Sequence, residues 1–141
     1  MIASLDSRTK TDRYILTRVG QLDLAFQAQW IDEFIVVNRV QILRLSFYSP
    51  AVLGIAHCKG RMLPLISAQY CLVGGEVRDL PSDRVIAVCL SEAAPTAGGV
   101  GLVVDRILGS QRILEPTSRL FKSADIPNQI WQPLRWQKLS A

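Results

Sequence analysis

Val52-Leu53-Gly54-Ile55-Ala56-His57-Cys58 is followed by Lys59-Gly60 and then by Arg61-Met62-Leu63-Pro64-Leu65-Ile66. The first run is apolar and β-prone, Lys-Gly is a two-residue turn signal, and the second run returns. Residues 52–66 therefore read as a β-hairpin with Lys59 and Gly60 at its tip. Pro64 has no N–H to give to a ladder, which places it at an edge or a bulge.

Working outward, the N-terminal side supplies a second hairpin. Tyr14 to Val19 is β-prone, Gly20-Gln21 can turn, and Leu22 to Gln27 alternates large apolar with small or polar residues. Trp30, Ile31, Phe34 and Ile35 then recur at helical spacing, with Asp32 and Glu33 on the other face, so one short amphipathic helix is expected after that hairpin. Val40 to Leu45 reads as a strand or extended segment.

On the C-terminal side, residues 68–73 read as one or two helical turns stopped by Gly74-Gly75. A third hairpin follows, with Val85 to Leu90 and Val100 to Leu108 as its arms. Gly109-Ser110 is expected to turn the chain, and residues 111–116 can add a further strand. Short strands with Gly and Pro turns indicate a mainly β fold. Residues 1–13 read as a flexible arm, 14–123 as the domain, and 124–141 as an atypical tail packed on it.

Of the 141 residues 49% are hydrophobic and 20% charged, enough apolar content for a single buried core. Apolar runs are broken by Arg, Asp, Gly or Pro well before membrane-spanning length, so no direct membrane insertion is expected. The N-terminus carries no continuous apolar block, which implies a cytoplasmic address. Cys58, Cys71 and Cys89 are odd in number and widely spaced, as suits reduced, buried thiols.

No catalytic constellation emerges. The chain has one histidine, His57, and as neighbours in a strand His57 and Cys58 point to opposite faces and cannot simply share a metal. Gly98-Gly99-Val100-Gly101 is followed by a strand and by no Lys-Ser/Thr, so it is not a phosphate loop. No metal, cofactor or small-molecule substrate is implied, and the chain does not read as an enzyme. The net charge of +4 is spread along the sequence and aromatics make up 7%. A general β-barrel interaction module binding nucleic acid through dispersed basic residues is the alternative reading.

Three blocks in order, Ile31 to Ile35, Val52 to Ile66 and Gly101 to Ile107, resemble the CheW-like coupling-protein family, and the G…KGR-x-LPLI block is the most specific of them. The resemblance spans roughly residues 14–116. It implies two packed, small five-stranded SH3-like β-barrels and a noncatalytic adaptor. The implied partners are a CheA-type histidine kinase and the cytoplasmic hairpin tip of a chemoreceptor, in chemotaxis, phototaxis or type IV pilus motility. It also implies binding roles for Ile31, Glu33, Phe34, Lys59, Gly60, Arg61, Asp105 and Arg106, with Glu33 able to pair with Lys59.

Lys59 stands where the family has Arg, so a point charge replaces a bidentate fork. His57 replaces an Asn and Ser67 an Asp. Beyond Pro116 the family's closing strand pair and Leu-rich helix have no counterpart. The tail instead carries Trp131 and Trp136, which either cap the core or form a docking peptide.

Overall fold

The alternation in residues 14–27 folds as the sequence predicts. In the computed structural model, which describes residues 13–45, 48–74, 83–94, 98–127 and 130, β1 (Tyr14–Val19) and β2 (Leu22–Gln27) pair antiparallel from Tyr14↔Gln27 to Val19↔Leu22. Thr17 is fully buried between them, and its hydroxyl donates to the Leu24 carbonyl at 2.9 Å. Thr17→Val keeps the volume and removes that bond. It is expected to cost about 1 kcal/mol, read as a lower urea midpoint at unchanged m-value.

A single 3₁₀ turn, Ala28–Trp30, follows the hairpin, and then the expected helix does not form: Ile31–Asn38 is an eight-residue strand, β3. The reason lies in one residue. Ile31 pairs with Leu90 and Glu33 with Cys89, so Asp32 is the extra residue of a β-bulge. The bulge reverses which face the side chains take. Ile31 joins the cluster containing Leu90, whereas Ile35 and Val37 join the one containing Cys89. Apolar residues at 30, 31, 34 and 35 thus imitate a helical period.

Another 3₁₀ turn, Arg39–Gln41, leads into the short β4 (Ile42–Leu43). The hairpin forms as β5 (Val52–Cys58) and β6 (Arg61–Ser67), and a π-helical turn, Gln69–Val73, ends at Gly74 with φ of 82°. β7 (Arg84–Leu90) and β8 (Gly101–Val104) make the third hairpin. The run expected as one strand from Val100 to Leu108 breaks at Asp105, where β9 (Arg106–Gln111) crosses to the other sheet. Gly109 and Ser110 lie inside β9 and do not turn the chain. The last strand, β10 (Arg119–Leu120), is two residues long and pairs parallel with β2, in place of a strand over 111–116.

The strands form two sheets, β10-β2-β1-β9 and β3-β7-β8-β6-β5-β4. The architecture is the mainly β, twin-unit SH3-like one expected, although the ten strands divide four and six, and neither sheet closes its ladder among the described residues. Pro64 faces β5 alone, since the β6–β8 ladder starts at Leu65, so its missing N–H costs no bond to β8. The main core lies between the sheets and includes Phe26, Leu24, Val88, Leu102 and Phe121. A second cluster, with Ile35, Ala56, Leu65, Ala87 and Cys89, fills the concave face of the six-stranded sheet. β7 contributes to both, which accounts for its unbroken apolar sequence.

Candidate functional site

The β5–β6 tip turns on Lys59 (φ 51°) and Gly60 (φ 77°), two successive left-handed residues as a type I′ hairpin requires. Lys59 is thereby held out from the sheet, and its Nζ lies 2.5 Å from Glu33 Oε2 on β3. A looser contact of 3.7 Å joins Arg61 Nη2 to Asp32 Oδ2. Neighbouring carboxylates on a regular strand would face opposite ways. The bulge at Asp32 lets both reach one hairpin tip. β3 is the end strand of its sheet and the hairpin lies near the other end, so this double clasp spans the open side of a curled sheet.

Hydrogen bonding to Glu33, and then its charge, hold the Lys59 ammonium above its usual pKa. Because the Lys59 side chain is 70% exposed, the pair is screened and adds little to stability; its effect is to fix where charge sits. Lys59 and Arg61 are also matched by acids, which removes them from the basic set a nucleic-acid reading would draw on.

Beside the clasp, β3 presents Phe34 at 42% and Val36 at 63% exposure. They stand opposite Val88 and Ile86, so they lie on the face that is buried between the sheets further along. Sequence reasoning misses Val36. Strand alternation would pair it with Phe34, but the helical period conceals that alternation.

The sequence-derived residues fall into separate groups. Glu33, Lys59, Gly60 and Arg61 come together at the clasp, and Phe34 follows Glu33 on β3 but points to the other face. Ile31 is only 6% exposed and belongs to the core, because the bulge turns it inward next to Leu90. Asp105 and Arg106 sit at the β8–β9 junction in the other sheet's ladder, where the Gly20 N–H donates to Asp105 Oδ2 at 2.6 Å and ties down the β1–β2 turn. Trp131 and Trp136 lie outside the described residues.

A cavity of about 120 Å³, lined by Asp32, Arg61, Leu63, Cys89, Ser91 and Glu92, is well below the size of a small-molecule pocket. Among the described residues, no group of three His, Cys, Asp or Glu side chains could hold a metal ion. All three cysteines are free, Cys89 buried and Cys58 and Cys71 half-buried. Burial pushes the Cys89 thiol from 9.0 up to about 11, with Glu33 adding to the shift, and burial does the same for Cys71.

The folded state therefore keeps these protons to higher pH than the unfolded chain. Their contribution to stability is full below pH 9 and is lost between about pH 9 and 11. Urea midpoints are expected to fall across that window, and to fall less steeply in Cys89→Ala. Parallel slopes in both proteins would refute the assignment.

The sequence profile of the CheW-like domain matches residues 13–119. The chain belongs to the CheW-like family. The crystal structure of the scaffolding protein TtCheW from Thermoanaerobacter tengcongensis superposes with a TM-score of 0.56 at 19% identity, covering 74% of this chain and 67% of that one. The two share a fold. No curated protein sequence matches. CheW-like domains are noncatalytic scaffolds of chemotaxis signalling, and this chain is one of them. No helix among the described residues is long and apolar enough to cross a membrane.

Proposed function

We propose that this CheW-like domain is a cytoplasmic adaptor that couples the cytoplasmic tip of a chemoreceptor to a CheA-type histidine kinase. The observation that carries this reading is the β3 rim. There the apolar face of the inter-sheet core continues into the open as Phe34 and Val36, across the end strand from the charged Glu33–Lys59 clasp. An amphipathic helix needs that combination of apolar anchors and a charged margin. Glu33 and Phe34 are consecutive on β3 and face opposite ways, so the clasp and the ridge lie on the two sides of one end strand, whose edge a helix would straddle.

Lys59→Glu sets two like charges against each other on the surface and leaves the core untouched. Recruitment of receptor-tip peptide or kinase is expected to weaken about tenfold, with the melting temperature shifted by no more than about 2 °C. Exchange of the pair, Glu33→Lys with Lys59→Glu, is expected to restore much of the loss. Co-precipitation with purified partners measures both. Undiminished recruitment by folded Lys59→Glu would remove the clasp from the site, and undiminished recruitment by Phe34→Asp would remove the ridge.

A further inference from the structure

The β9 edge of the four-stranded sheet carries a feature that the adaptor reading does not use. Among the described residues β9 has one ladder partner, β1, so the other side of Arg106–Gln111 is an open edge. Ile107 stands opposite Thr17, which is fully buried, yet it is 37% exposed because no strand follows β9. Leu108 is 38% exposed, and Ile113, just beyond the strand, is 77% exposed. Arg106 and Arg112 bracket the edge roughly 20 Å apart in extended chain, and neither forms an ion pair among the described residues. Arg13 adds a third guanidinium, donating to Ser110 Oγ at 3.2 Å.

We propose that the β9 edge takes up an extended acidic segment of a partner protein as an added strand, with its carboxylates on Arg106 and Arg112 and an apolar residue against Ile107 and Leu108. Charge selects this occupant. A second copy pairing β9 to β9 antiparallel would set Arg106 close to Arg112 of its mate, and like charges facing each other across a ladder are unfavourable. Residues 131–141 of the chain itself carry Arg135 and Lys138 and no acid, so they have the wrong sign.

The register of β9 against β1 shifts at Leu108, and a bulge with flanking charges is the usual guard against indiscriminate strand addition. Here the charges at the two ends of the edge, Arg106 and Arg112, are basic, and the adjoining Asp105 is engaged by the Gly20 N–H. These arginines repel basic strands and favour acidic ones, with backbone hydrogen bonds supplying affinity and side chains supplying choice.

The test uses the full chain and a short fluorescein-labelled peptide alternating glutamate with valine. It also uses the same peptide N-methylated along one edge, and a lysine counterpart. The acidic peptide is expected to raise anisotropy and to shift amide resonances of residues 106–111. Binding should fall at least about tenfold on N-methylation, on exchange of glutamate for lysine, and in Arg106→Glu with Arg112→Glu. Both arginines are exposed, and the resonance shifts need no variant at all, so misfolding cannot imitate the result. Equal binding of the N-methylated peptide, indifference to charge reversal, no binding at millimolar peptide, or a dimer held through β9 would each overturn the proposal. None of these outcomes bears on recruitment at the Glu33–Lys59 clasp.

Discussion

Deletion of residues 124–141 is expected to leave the chain unfolded at 25 °C, with no cooperative thermal transition and a far-UV circular dichroism spectrum of unordered chain. Ile126 and Ile130 are 7% and 5% exposed and belong to the main core, alongside Phe121 at 1%. Phe121 in turn packs against Phe26, at 5.0 Å between ring centroids, and meets Trp30 edge-on at 6.1 Å. Losing two buried isoleucines costs about 2–5 kcal/mol each, and the faces they covered become wet. Asp125 goes as well, and with it the 2.7 Å pair to Arg119 and the acceptor for the Lys122 N–H. Together these losses approach the whole stability of a domain this size, about 5–15 kcal/mol.

Ile126→Ala is the graded companion, expected to lower the stability by about 2–4 kcal/mol while leaving a cooperative melt. A truncated chain that melts near the temperature of the full protein and loses a partner would show that the segment serves as a docking peptide. The burial of Ile126 and Ile130 favours capping. Trp131 and Trp136, the residues that first draw notice in that tail, are not needed for the argument.

The hairpins are legible in the sequence because their signals are local. Gly20-Gln21 and Lys59-Gly60 fix two turns, and the strands on either side match their expected limits to within one residue. The Glu33–Lys59 pair is also expected, from the resemblance. What the sequence hides are events that need a second strand to define them. The bulge at Asp32 exists only against Cys89 and Leu90, and without it Trp30, Ile31, Phe34 and Ile35 look helical. Likewise, nothing in Val100 to Leu108 announces that β8 and β9 serve different sheets. The switch is made by Asp105, whose N–H donates to the Arg18 carbonyl at 2.9 Å and whose carboxylate accepts from Gly20. The resemblance gives Ile31 a binding role, and only the paired strand shows that the bulge turns its side chain toward the core.

Gly54→Val should be the most damaging single substitution near the site, and Gly60→Ala one of the mildest, although both glycines belong to the same hairpin motif. At Gly54, φ is 150° and an added Cβ would lie 2.3 Å from the Leu43 carbonyl oxygen and 2.7 Å from Ile42 Cγ2. The obstacle is the backbone of β4, which cannot swing aside as a side chain can. Backbone strain and overpacking each cost about 1–3 kcal/mol for the first carbon, and a branched side chain adds to both, so a loss of about 4 kcal/mol or more is expected.

Gly60 has φ of 77°, but a methyl group added there would meet nothing within 4 Å. Gly60→Ala therefore costs only the left-handed penalty, about 1–2 kcal/mol. Denaturant midpoints would separate the two. If Gly54→Val proved as mild as Gly60→Ala, β4 would not lie as close to β5 as the structure places it. The hairpin tip would then lose its rigid base, and with it the reason Lys59 meets Glu33.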